Sequence, residues 1–241
     1  MPAIVYAHGL GDNKHNFEKL VQKLFPNHPR YGENGPEVKS VMYYSSGEGM
    51  VKDFAVDKNK LCLGQQGDID TVIQACNTAI QKGEKSIIGF GASKGAATWI
   101  NTLHYLHTHR TPENSKILTK IKAVIAIAPF ADPYNCEMIA GFTGKGKSLI
   151  QRCALPGPFD IGRKVTRFGL KKVLPRFDLN GLFPIKSMKE MPRIPLFFVH
   201  STQDDLIPVN HSRELYYAAY AENGRSGAAW LHEFAGGGHI H

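Results

Sequence analysis

Short apolar runs alternate along the chain with stretches whose hydrophobic residues return every three or four positions. Six runs read as strands: Ala3–His8, Val38–Tyr43, Ser86–Gly91, Ala123–Ala128, Leu196–His200 and Ala229–Phe234. They are rich in β-branched and aromatic residues and carry apolar side chains on both faces, which suits strands covered on both sides. Between them, Asn16–Phe25, Asp68–Gln81, Lys94–Leu106 and Val209–Ala221 read as helices. In the second of these, Ile69, Val72, Ile73, Cys76 and Ile80 form the apolar stripe of an amphipathic helix. The alternation predicts an α/β fold: a mostly parallel sheet of about six strands flanked by helices, one domain over residues 1–241.

One stretch breaks the alternation. Residues 131–192 lie between the fourth and fifth strands and are too long for an ordinary crossover. They read as a cap or lid insertion within the domain, built from short helices and turns around Leu155-Pro156-Gly157-Pro158. Eleven lysines and arginines stand there against five acids, so the segment holds six of the chain's net +8 charges. A solvated basic face over a core is the plainer expectation. The alternative is a surface that meets anionic lipid or draws in an acidic substrate. Phe142, Leu149, Ile150, Leu155, Phe159 and Phe168 are its candidate acyl-pocket residues.

Composition narrows the classes further. Hydrophobic residues make up 42% of the 241 and charged residues 21%, the mix of an ordinary globular domain. No apolar run approaches the ~20 residues of a membrane span. Met1-Pro2 leads directly into the first strand without a secretory pattern, so the expected location is cytoplasmic. Cys62, Cys76, Cys136 and Cys153 are scattered without a CxxC pair, which argues for buried or free thiols over a metal knuckle or disulfide framework. Nucleic acid is not an expected partner, since no aromatic-basic array accompanies the charge.

The candidate chemistry centres on Gly91-Ala92-Ser93-Lys94-Gly95, a G-x-S-x-G run. An apolar strand enters it and a helix leaves it. That context holds a serine on a strained turn with its hydroxyl above the sheet edge, beside the partial positive charge of a helix N-terminus. Small residues are needed on either side because side chains there would crowd the neighbouring strand and helix. A hydroxyl needs a base to take its proton, and the base needs an orienting acid. Two later loops, each after a strand, offer these groups: Asp204-Asp205, and Gly236-Gly237-Gly238-His239. Asp132, after the fourth strand, is a competing acid. His8, His200 and His232 lie in or at the ends of strands and read as structural, and His241 is terminal. Lys94 raises the idea of a Ser-Lys dyad, but its side chain is expected to lead away along the helix.

Together these blocks resemble the α/β-hydrolase superfamily, from residue 4 to residue 239. His200-Ser201-Thr202-Gln203-Asp204 through Pro208 is similar to the family's H-[GS]-x-x-D-x-x-[VI]-P loop, which makes Asp204 rather than Asp205 the triad acid. Gly236 to His239 resembles its G-x-G-H ending, which makes His239 the base. His8-Gly9-Leu10-Gly11 resembles its H-G-x-G turn, which assigns the oxyanion hole to the backbone N–H groups of Leu10 and Lys94. The resemblance implies a serine esterase, lipase or thioesterase-like enzyme. It would act through an acyl-enzyme on Ser93, with an acyl or lipid ester as substrate and neither metal nor organic cofactor. A hydrolase fold serving as a silent binding or scaffold protein is the alternative.

Overall fold

A computed structural model describes residues 3–9, 40–42, 63–133, 178, 181–222 and 228–239. Six strands form one sheet: β1 (Ala3–Ala7), β2 (Ser40–Met42), β3 (Ile87–Ala92), β4 (Ile121–Ile127), β5 (Leu196–Ser201) and β6 (Ala229–Phe234). Their spatial order is β2-β1-β3-β4-β5-β6, and every neighbouring pair is parallel. From β1 the chain moves to one side to make β2, then returns past β1 to lay down β3 to β6 on the other. The order therefore reverses between β1 and β3, and at such a switch point loops diverge and leave a crevice above the strand ends.

The described helices are α1 (Gln66–Gln81), α2 (Lys94–Thr108), α3 (Pro112–Lys120), α4 (Pro184–Ser187), followed by a 3-10 turn (Met188–Glu190), and α5 (Asn210–Glu222). The helical stripe expected in Asp68–Gln81 is buried at Ile69, Val72 and Cys76, while Ile73 and Ile80 pack at its edge. Alternate strand residues meet these helices in one core: Ala3, Val5 and Ala7 of β1, Val124 and Ala126 of β4, and Leu196 and Phe198 of β5. Ile4, Tyr6, Phe90 and Ala92 point to the opposite face and cluster there, as a two-residue period requires.

Helix α2 runs through the middle of the core. Every residue from Lys94 to Leu103 is buried, so it is apolar or small nearly all round rather than striped. Trp99 fills the space beneath β3, where its indole N–H donates to the Val5 carbonyl at 3.2 Å. Gly89 makes room for it: a Cβ there would stand 2.8 Å from the indole.

Helix α3 is absent from the sequence reading, although its cap is orthodox. Thr111 precedes Pro112 and Glu113, and its hydroxyl accepts the Asn114 N–H at 3.1 Å. Only Asn114 and Ile117 of the helix are buried, so its apolar face is short and set among polar residues. The expected helix at Asn16–Phe25 lies outside the described residues, as does most of the expected insertion at 131–192. Its described end folds back as α4 and the 3-10 turn against α2, where the Ser187 hydroxyl donates to Asn101 Oδ1 at 2.7 Å. Among the described residues no helix is long and apolar enough to cross a membrane.

Candidate active site

Strand β3 delivers Ser93 at the crevice between β1 and β3. Ser93 adopts φ 51° and ψ −115°, a conformation that costs an L-residue of order 1–3 kcal/mol and persists only where the surroundings impose it. Here they do. The Ser93 N–H donates to the Ile127 carbonyl at the end of β4 at 2.8 Å, and its carbonyl accepts the Ala97 N–H at 3.2 Å. A Cβ on Gly91 would lie 2.6 Å from Ala96 and from the Gly95 carbonyl, and one on Gly95 would overlap the Ala7 carbonyl oxygen of β1. Both glycines of the motif are thus required by backbone packed against backbone.

Lys94 follows immediately, and its side chain does lead away from Ser93. Its Nζ reaches Asp68 Oδ1 at 3.3 Å, with both side chains buried. The other oxygen of Asp68 accepts the Gly64 N–H at 2.8 Å. Lysine at the first position of a buried helix opposes the helix dipole, and the carboxylate offsets both that charge and its desolvation. Sequence alone gave no sign of this pairing, because the two residues are 26 positions apart and neither is unusual for an exposed helix.

The acid loop follows β5. Asp204 is buried, its Oδ1 accepting backbone N–H groups from Leu206 at 2.9 Å and Ile207 at 2.8 Å. Its Oδ2 lies 2.7 Å from His239 Nδ1. Burial pushes the Asp204 carboxyl upward, but hydrogen bonds from His200, His239 and the Ile207 backbone outweigh it and hold the group well below the usual carboxylate range.

His239 stands on the loop after β6. Gly236, Gly237 and Gly238 have φ of 101°, 82° and 54°, three consecutive left-handed residues that side chains would resist. The loop is tied to β5 by the Ser201 hydroxyl, which donates to the Gly236 carbonyl at 2.6 Å. The remaining ring nitrogen of His239, Nε2, is 3.1 Å from Ser93 Oγ. Serine, imidazole and carboxylate from three separate strand ends therefore form one hydrogen-bonded line.

The other sequence candidates fall elsewhere. Asp205 and His232 are exposed, the latter beside Phe234 on the edge strand. His8 is buried at the end of β1 with Nδ1 2.9 Å from the Gly9 carbonyl. Asp132 follows β4 and acts electrostatically on His211, a buried histidine whose Nδ1 accepts the Ala131 N–H at 3.1 Å. Burial and the neighbouring His200 push His211 down to about 4, against the pull of Asp132 and Asp204. Leu10 and His241 lie outside the described residues. His200, read as structural, touches Asp204 itself: its Nε2 is 3.2 Å from Oδ2.

The parallel order, its switch point and the serine turn above it define an α/β-hydrolase fold. Solved structures share it. The acylaminoacyl peptidase of Pyrococcus horikoshii matches with a TM-score of 0.54 at 16% identity, over 100% of this chain and 33% of its own. A puromycin-hydrolyzing peptidase of Mycobacterium tuberculosis gives 0.54 at 13% identity, over 99% and 30%. Esterase PE8 gives 0.50 at 18% identity, over 99% and 88%. The chain thus spans about a third of the length of these peptidases. At such identities the likeness is one of fold. No family model matches the sequence, and no curated protein does.

Proposed function

We propose that the chain is a serine hydrolase that cleaves carboxylic esters through an acyl-enzyme on Ser93. The observation that carries this reading is the line Ser93 Oγ, His239 Nε2, His239 Nδ1, Asp204 Oδ2, at 3.1 and 2.7 Å. In this mechanism the Ser93 hydroxyl attacks the ester carbonyl as His239 takes its proton, and Asp204 orients the imidazole and stabilises its charged form. His239 then gives that proton to the leaving alcohol. Water, deprotonated by the same imidazole, releases the acid and restores the serine.

The developing oxyanion takes hydrogen bonds from the backbone N–H groups of Lys94 and Leu10, each worth about 3 kcal/mol in comparable sites. The Lys94 assignment is supported by its place at the start of α2 beside Ser93. That of Leu10 rests on the HGxG resemblance. Lipid esters and thioesters are the next substrates, and amides belong in the same panel because acyl transfer chemistry does not separate them.

Labelling with a fluorophosphonate probe, with Ser93→Ala as the control, tests the reading. Covalent modification of the intact protein alone is the expected result. A folded intact protein that resists the probe would leave the fold as a binding or scaffold module. Hydrolysis of p-nitrophenyl esters of increasing chain length, beside a thioester and a peptide anilide, then ranks the substrate classes. Ser93→Ala should lower turnover by about a millionfold.

A further inference from the structure

Asp204 accepts more hydrogen bonds than a triad acid requires. Its Oδ1 is held by two backbone N–H groups, and its Oδ2 is shared between His239 Nδ1 at 2.7 Å and His200 Nε2 at 3.2 Å. His200 stands at the end of β5 with none of its surface exposed. The same Nε2 lies 2.8 Å from the Ile207 carbonyl, and Nδ1 lies 2.6 Å from the Ser212 hydroxyl at the start of α5.

This geometry fixes the ring. Nε2 faces a carbonyl and a carboxylate, neither of which has a proton to give, so Nε2 carries the proton and donates to both. Nδ1 is left to accept from Ser212, whose hydroxyl can donate. Without His200, the two backbone groups would hold one edge of the carboxylate while the edge that meets His239 kept a single partner.

We propose that His200 is a positioning residue of the reaction: it holds Asp204 Oδ2 in the orientation that His239 needs and shares that oxygen's charge. The proposal rests on the reading of Ser93, His239 and Asp204 as nucleophile, base and acid. Sharing has a sign. A carboxylate oxygen relieved of one donor offers more charge to the other, so loss of His200 should shorten the remaining hydrogen bond from His239 and move its Nδ1 proton downfield. Other titratable groups around the pair are His211 on α5, Asp132 after β4, Glu233 on β6 and the neighbouring Asp205. All stay in place in the variants below.

The test compares His200→Phe, His200→Gln and Ser212→Ala by urea unfolding, by kcat and KM on a p-nitrophenyl ester, and by the downfield NMR resonance of the His239 Nδ1 proton. His200→Phe should lower kcat roughly 10- to 100-fold with little change in KM, as misoriented catalytic groups do. It should also move the NMR resonance of the His239 Nδ1 proton downfield. His200→Gln keeps an N–H donor and should recover most of both. Ser212→Ala loosens the ring by removing its Nδ1 partner while Nε2 keeps its proton, and should give the same changes in smaller degree; it decides the matter if His200→Phe does not fold. A role confined to packing predicts lower urea midpoints with kcat and the His239 Nδ1 proton resonance unchanged, and that result overturns the proposal, as does a Gln variant no better than Phe. Intact protein that neither labels nor hydrolyses any ester defeats the hydrolase reading instead. The proton resonance reads the His200 contact without turnover, so the two failures are separable.

Discussion

Lys94 shows how much a single residue near the nucleophile depends on a partner far away in the chain. Its ammonium is buried and its acid, Asp68, is buried with it, so removing Asp68 strips the buried ammonium of this carboxylate. Asp68→Ala is expected to cost about 3–5 kcal/mol in urea unfolding, whereas Lys94→Met combined with Asp68→Ala should recover much of that loss. His211 gives a second prediction, with a defined sign. Its ordinary value of 6.5 falls to about 4 in the folded protein, so above pH 6.5 both folded and unfolded chains hold it neutral. Below that the unfolded chain binds the proton first. Stability should drop between pH 6.5 and 4 by roughly 3 kcal/mol from this site, a slope that His211→Leu removes. Asp204, held low in the folded state, adds its own loss only at more acidic pH. Cys76 is the simplest case: burial lifts its thiol to about 12. At pH 8 about one molecule in ten thousand carries the thiolate. Mass spectrometry after iodoacetamide treatment should find Cys76 unmodified until urea unfolds the chain.

At the scale of elements, the serine turn is a joint between three pieces of backbone. Gly95 sits against the end of β1 and Gly91 against the start of α2. Gly95→Ala must push α2 away from β1, which moves the Lys94 N–H and the Ser93 hydroxyl together. A loss of about 1–3 kcal/mol in stability is expected, with ester turnover falling far more than the folded fraction does. Gly89→Ala is the matched control, because its Cβ would press on Trp99 and Val124 below the turn and should lower stability without that extra loss of rate. Element by element, legibility followed burial. The strands and α2 were plain because a two-sided sheet and a core helix force long apolar runs at Val5, Ile87, Val124 and Trp99. Helix α3 is hard to read because it is short and buries only Asn114 and Ile117, which leaves the Thr111 cap and Pro112 as its plainest signals.

For the whole molecule, the parallel order brings three loops to one edge of the sheet. Ser93 follows β3, Asp204 follows β5 and His239 follows β6, so residues 146 positions apart meet at 3.1 Å. The basic stretch within residues 131–192 remains a proposal for surface chemistry. Vesicles of pure phosphatidylcholine and vesicles containing phosphatidylserine separate its two readings. A solvated face predicts no sedimentation with either. A lipid-facing one predicts binding to the anionic vesicles alone, lost at high salt.

By itself the sequence determined the order of strands and helices, the GxSxG turn, and the glycine runs that place Ser93 and His239. These are local: strand runs, turn chemistry and glycine requirements act through neighbours in the chain. Asp204 and His239 already stand out in the sequence through the H-[GS]-x-x-D and G-x-G-H resemblances; only tertiary structure decided what else they and their neighbours would meet. Asp204 and not Asp205 turns inward because Leu206 and Ile207 offer it their N–H groups. His200 touches that acid because β5 and the start of α5 enclose it, and Lys94 meets Asp68 across two helices. The His200 and Asp68 contacts depend on distances between side chains from separate elements, and no period or motif along the chain records them.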